Sequence, residues 1–166
     1  TLCYIYQTRD GTITNTIRPF NVFGPGMQEN DYRVLPNFAS RIKAGLPLNV
    51  YGSALQTRTF SYITDAMVGF FLVVLKGVSG EAYNIGTPNP EVSMIDLVKT
   101  LQTISKREVS YNLIEYPASY PADEPMRRCP DIRKARLQLK FNPIVKLDDG
   151  LKRFIDWSNM AFTREL

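Results

Sequence analysis

The sequence predicts an α/β protein, and three observations carry that expectation. Helix-like and strand-like stretches alternate along the chain without internal repeats or low-complexity runs. Glycine and proline punctuate the boundaries between those stretches, as at Gly24-Pro25-Gly26, Gly45, Gly52 and Gly86 to Pro90. A chain of 166 residues with 44% hydrophobic content is long enough to bury one sizeable core.

The elements follow in order. Residues 1–9 are apolar, lack a start signal and meet Asp10-Gly11, so they read as the tail of a helix that begins upstream. Residues 12–23 are rich in β-branched and aromatic side chains and predict one strand running into the Gly24-Pro25-Gly26 loop, the place where α/β sheets bind ligands. Its parallel partners are expected upstream, leaving Ile13, Ile17, Phe20 and Val22 short of cover and the chain prone to association. Val34 to Ala44 predicts a helix closed by Gly45, and Leu48 to Tyr51 a strand ending at Gly52. After an extended stretch over 57–63, Thr64 or Asp65 is a candidate cap for a helix reaching Lys76. The apolar run over 69–75 in that helix predicts a buried segment, being far shorter than the roughly 20 residues that cross a bilayer.

Further on, Ala82 to Ile85 predicts a strand, and Ser93 with Asp96 three residues later resembles a capping box that opens a helix towards Ser105. Residues 109–115 alternate as a strand does, and a proline-rich loop spans 117–130. Asp131 then caps a helix through Gln138, and residues 147–159 form a last helix with Leu151, Phe154, Ile155 and Trp157 on one side.

Composition narrows the function. A formal charge of +4 and a pI near 9.1 favour an anionic partner. Basic residues are dispersed among acids rather than gathered in a run, which argues against nucleic acid, and no signal peptide or membrane span is visible. Two distant cysteines, Cys3 and Cys129, give no disulfide framework and fit a reducing cytoplasm. Histidine is absent, which removes the usual Ser/His and Cys/His nucleophile pairs and most zinc chemistry. The chain also lacks a G-x-G-x-x-G or G-x-x-G-x-x-G fingerprint, the loop that cradles a dinucleotide pyrophosphate.

The informative stretches are RPFNVFGP at 18–25, NDYRVLPNF at 30–38 and VYGSALQTRTFSYITD at 50–65, followed by AYNIG at 82–86, RRCPDIRKA at 127–135 and residues 150–157. In order and spacing they resemble the NAD-dependent epimerase/dehydratase family of extended short-chain dehydrogenases, across nearly the whole chain. Within it the pattern looks most like UDP-glucuronate decarboxylases, with dTDP-glucose 4,6-dehydratases and UDP-hexose 4-epimerases behind; the Asp123-Glu124-Pro125 stretch contributes to that preference. Two positions depart from the decarboxylase pattern, which carries arginine where Gly26 and Cys129 stand here.

The resemblance implies a Rossmann domain holding NAD and a smaller domain holding a UDP- or dTDP-sugar, in a homodimeric enzyme. It assigns residues 1–30 to the end of the Rossmann-domain helix and the strand after it, and 31–166 mainly to the substrate domain, with some segments returning to the Rossmann sheet. Family chemistry is transient oxidation at the sugar C4 by a Tyr/Lys pair spaced Y-x-x-x-K. None of the nine tyrosines here is followed by lysine at that spacing, so no catalytic residue is expected in this chain; its partner would be a missing N-terminal half or another polypeptide. Pro19 is expected near the nicotinamide. Arg58 and Arg128 are expected on the diphosphate, where a planar fork pairs bidentately with phosphate oxygens, joined by Asn21 and Arg33. Leu35, Asn37 and Phe38 would pass the base, with Asn49, Val50 and Tyr51 beside it. The alternatives are a non-catalytic nucleotide-sugar module or scaffold and, more remotely, a basic nucleic-acid binder.

Overall fold

The computed structural model describes residues 2–116 and 124–163. Of the predicted proline-rich loop, residues 117–123, Asp123 among them, lie outside the described residues.

The chain begins with α1 (Leu2–Asp10), which buries none of its residues. The expected single strand over 12–23 is two strands, β1 (Thr16–Pro19) and β2 (Val22–Phe23), and among the described residues each finds a partner downstream. β1 pairs in parallel with β6 (Ala82–Ile85), whereas β2 pairs in parallel with β5 (Ser61–Tyr62). The break is at Asn21, whose φ of 42° is left-handed, a conformation asparagine tolerates better than most residues. The sequence of that segment is uniformly strand-like, so the change of partner cannot be read from it. The expectation of incomplete cover holds in part: Ile13 is 82% exposed, while Ile17, Phe20 and Val22 are half-buried.

Helix α2 (Val34–Ala44) ends where Gly45 takes φ 69°, a left-handed cap that lets its N–H reach the carbonyls of the last turn. It leads to β3 (Leu48–Tyr51), which pairs in parallel with β8 (Tyr111–Ile114). β4 (Thr57–Arg58) sits between β7 (Val92–Ser93), antiparallel, and β9 (Arg127–Arg128), parallel; β9 lies inside the stretch predicted as loop.

Helix α3 (Ile63–Lys76) corrects two expectations. Neither Thr64 nor Asp65 caps it: the residue before it is Tyr62, without a side-chain cap, and Asp65 lies in its first turn. Asp65 is buried and accepts the backbone N–H groups of Ile144 and Val145 instead, so it clasps the chain leading into α6 (Leu147–Ala161). The apolar run is also not buried throughout, since Phe71, Val74 and Leu75 are exposed, Leu75 by 76%. Hydrophobic composition states a preference for burial but not which neighbour supplies it. The capping box is present as predicted, with Ser93 accepting the Asp96 N–H at 3.1 Å at the start of α4 (Met94–Ser105). Asp131 stands one residue too early to be the cap of α5 (Arg133–Leu139), although its carboxylate accepts the Arg133 N–H at 2.9 Å.

The buried residues fall into two clusters. The larger packs α2, α4 and α6 over β3 around Phe38, Leu48, Leu97, Leu101, Leu151 and Phe154. The smaller is held between α3, β6 and α5 by Val73, Tyr83, Ile85, Leu139 and Phe141. Among the described residues no helix is long and apolar enough to cross a membrane.

Candidate functional site

A cavity of about 190 Å³ opens beside the larger cluster, where the turn between β1 and β2, the start of α2, and strands β3 and β4 converge. All ten residues read as sugar-nucleotide contacts line it: Asn21, Arg33, Leu35, Asn37, Phe38, Asn49, Val50, Tyr51, Arg58 and Arg128. Pro19 does not; it is exposed at the end of β1, in register with Ile85. The volume is below the roughly 300–1,000 Å³ of pockets that enclose a drug-sized ligand, so this surface suits part of a nucleotide sugar.

Asn21 reaches the cavity through its left-handed backbone. Its Nδ2 donates to the Thr59 carbonyl at 2.7 Å, and its own carbonyl accepts the Ser61 N–H at 3.1 Å. The side chain therefore bridges two segments rather than closing a local turn, and the amide nitrogen carries a second proton for a ligand. Arg33, before the first turn of α2, is folded back onto Asp31, which takes its backbone N–H at 2.9 Å and its Nε at 2.7 Å. That guanidinium holds the Asp31 carboxyl below its ordinary range. Leu35 and Phe38 point into the core and form the apolar floor, with half-buried Asn37 between them.

At the opposite end, Tyr51 stacks on Tyr116, ring centroids 5.4 Å apart and planes 19° from parallel. Gln56, nearly fully buried, locks the pair by donating from Nε2 to the Tyr51 carbonyl at 2.9 Å and to the Tyr116 hydroxyl at 3.3 Å. Burial, and then the negative charge of Glu124, push the Tyr116 phenol above its ordinary pKa, while Arg58 pulls it down.

Arg58 is a buried cation, 7% exposed. Its Nη1 donates to the Thr57 carbonyl at 2.8 Å and the Met126 carbonyl at 3.3 Å, and its Nη2 is ion-paired with Glu124. Arg128 is half exposed and lies 3.9 Å from the other oxygen of the same carboxylate. The two arginines are adjacent because β9 runs beside β4, with Arg58 and Arg128 in register.

Tyr116, Gln56 and Glu124 are therefore part of this wall but absent from the residues picked by sequence. Gln56 and Glu124 stand inside motifs that carried the family pattern, so a signal existed there. Tyr116 follows the last predicted strand with nothing to mark it. Chemically, the cavity combines a cationic edge built on Arg58 and Arg128, an aromatic pair and an apolar floor, the combination that accepts an anion together with a planar ring.

The chain is 38% identical over 168 residues to UDP-glucuronic acid decarboxylase 1 of Xenopus tropicalis, aligning 100% of itself with 37% of that protein. It is 36% identical over 147 residues to the human dTDP-D-glucose 4,6-dehydratase, covering 87% of itself and 41% of that protein. The crystal structure of UDP-glucuronic acid 4-epimerase from Bacillus cereus, in complex with UDP-glucuronic acid and NAD, superimposes with a TM-score of 0.87 at 29% identity, over 97% of this chain and 50% of that one. The chain thus spans half or less of the length of these relatives. Residues 1–86 match the NAD dependent epimerase/dehydratase family, and since that match takes in the strands and turns that wall the cavity from Asn21 to Arg58, the chain belongs to this family.

Proposed function

We propose that this chain forms the nucleotide-sugar-holding part of an NAD-dependent epimerase, dehydratase or decarboxylase, with UDP-glucuronate decarboxylation the activity its relatives favour. The observation that carries the reading is the meeting of Arg58, Arg128 and Asn21 with the Asn49 to Tyr51 strand in one cavity. Part of a UDP- or dTDP-sugar would sit in it, with the diphosphate toward the two guanidiniums and the base along β3 and the first turn of α2. On this reading residues 1–30 and the smaller hydrophobic cluster belong to the edge of a Rossmann-type sheet, and the larger cluster is the core of the substrate domain.

NAD is the family's oxidant, but these 166 residues supply neither the glycine loop that holds its pyrophosphate nor a Y-x-x-x-K pair. Only Pro19, exposed at the end of β1, stands where a nicotinamide contact is expected. A second reading rests on those missing motifs: a nucleotide-sugar binding module without turnover. A reducing cytoplasm suits the two free thiols, Cys3 and Cys129.

Titration calorimetry tests the assignment with UDP, dTDP, uridine and a random oligonucleotide. The expected order places UDP and dTDP well above uridine, with no saturable oligonucleotide binding. Tighter binding of the oligonucleotide than of either diphosphate would overturn it. Reduction of added NAD by the chain with UDP-glucuronate would exclude the module reading.

A further inference from the structure

We propose that Glu124 is a resident counter-anion of the cavity, which leaves Arg58 and Arg128 when a diphosphate arrives; this rests on reading the cavity as a diphosphate site. One carboxylate serves two arginines here, with Oε1 on the Nη2 of Arg58 and Oε2 3.9 Å from the Nη2 of Arg128. It lies in the wall of the cavity, between the two groups best suited to a pyrophosphate.

Glu124 is not needed to aim Arg58. The guanidinium is already fixed by the Thr57 and Met126 carbonyls, and Met126 is in turn held by accepting the Thr57 N–H at 2.8 Å. The Arg128 backbone is held beside β4, its carbonyl accepting the Thr59 N–H at 3.3 Å. What Glu124 supplies is charge, since a guanidinium as buried as Arg58 is costly without a counter-ion. Carboxylate and phosphate oxygens fit the same planar fork, so one anion can replace the other on it without moving the arginine. Both together would crowd negative charge into one partly desolvated wall. The carboxylate thereby offsets one of the two positive charges, and diphosphate affinity is lowered by the competition.

The experiment compares UDP and uridine affinities of the wild-type chain and Glu124→Gln at low and moderate salt. Removal of the competing charge should tighten UDP about tenfold, the equivalent of one charge-assisted hydrogen bond, and leave uridine unchanged. Weaker or unaltered UDP binding in Glu124→Gln, with the wild type still preferring UDP to uridine, would overturn the exchange while leaving the diphosphate site standing. Failure of both proteins to prefer UDP would overturn the diphosphate site and the exchange with it. Because breaking one side of a buried pair can disturb folding, a crystal structure of the wild-type chain with UDP supplies a second readout. The Glu124 carboxylate should be off Arg58 with a phosphate oxygen in its place; retention of the Arg58–Glu124 pair beside bound diphosphate would overturn the proposal.

Discussion

Asp65 accepts the backbone N–H of Val145 at 2.9 Å across 80 residues of chain, and that of Ile144 at 3.0 Å. This buried carboxylate joins the first turn of α3 to the segment that launches α6, and so ties the smaller hydrophobic cluster to the larger. Charge-assisted hydrogen bonds contribute roughly 1.5–3 kcal/mol each and are not additive, so Asp65→Ala should destabilise the chain by about 2–4 kcal/mol. Asp65→Asn keeps an acceptor oxygen and should lose less. Urea unfolding measures both, and a loss under about 0.5 kcal/mol for Asp65→Ala would show the clasp to be idle.

Arg58 and Arg128 should separate stability from binding. Arg58→Ala strips Glu124 of its buried partner and should cost about 3–5 kcal/mol of stability. Arg128, nearly half exposed, should cost about 0.5 kcal/mol or less when replaced by alanine. Both substitutions should weaken UDP about tenfold to a hundredfold while sparing uridine, and Arg58→Lys should restore only part of the affinity because it keeps the charge without the fork. Equal effects on UDP and uridine would remove these arginines from the diphosphate.

What the sequence makes legible, and what it does not, divides along the range of the interactions. Helix α2 is readable to its last residue because Gly45 terminates it locally, and the Ser93/Asp96 box announces α4 from within one turn. Ten of the twenty residues that line the cavity are legible because they stand in motifs whose spacing the family pattern carries. The pairing of Arg58 with Glu124 is 66 residues long and leaves no local trace, and the same holds for β9, a two-residue strand that exists only because β4 lies beside it. The change of partner at Asn21 belongs to this group as well, for it depends on where β5 and β6 lie.

Acid should reveal the Asp131–Arg133 pair. The Arg133 guanidinium, and after it the Arg133 backbone N–H, lower the Asp131 carboxyl from its ordinary 3.8 to about 2. A depressed folded-state pKa gives a contribution that is complete above about pH 4 and is lost as the pH falls toward 2. The pair is exposed, so the effect is small and screened by salt. Asp131→Asn should be less stable than wild type above pH 4 at low ionic strength, and the difference should shrink as the pH falls and vanish below pH 2. A difference independent of pH would assign the effect to something other than this charge.

Gly69, within α3, allows close approach to β6. A Cβ there would lie 2.5 Å from Cγ2 of buried Ile85 and 3.0 Å from the Phe141 ring. Alanine gains about 1 kcal/mol over glycine in helix propensity. Overpacking costs about 1–3 kcal/mol, and neither buried neighbour has space to retreat, so Gly69→Ala should be net destabilising. A thermal midpoint above that of wild type would contradict the packing argument.

The strand pairings also set a tempo. Among the described residues no strand pairs with its neighbour in sequence: β1 joins β6, β2 joins β5, β3 joins β8, and β4 joins β7 and β9. There is no hairpin to zip, so each pairing must await the closure of a long loop, and folding rates fall as contacting residues lie farther apart in the chain. The helices can form early and locally, but the walls of the cavity come from β3, β4 and β9 and are the products of those slow closures. In a refolding experiment, recovery of nucleotide binding should therefore lag behind recovery of helical signal, and ligand affinity becomes a clock for the last step of folding.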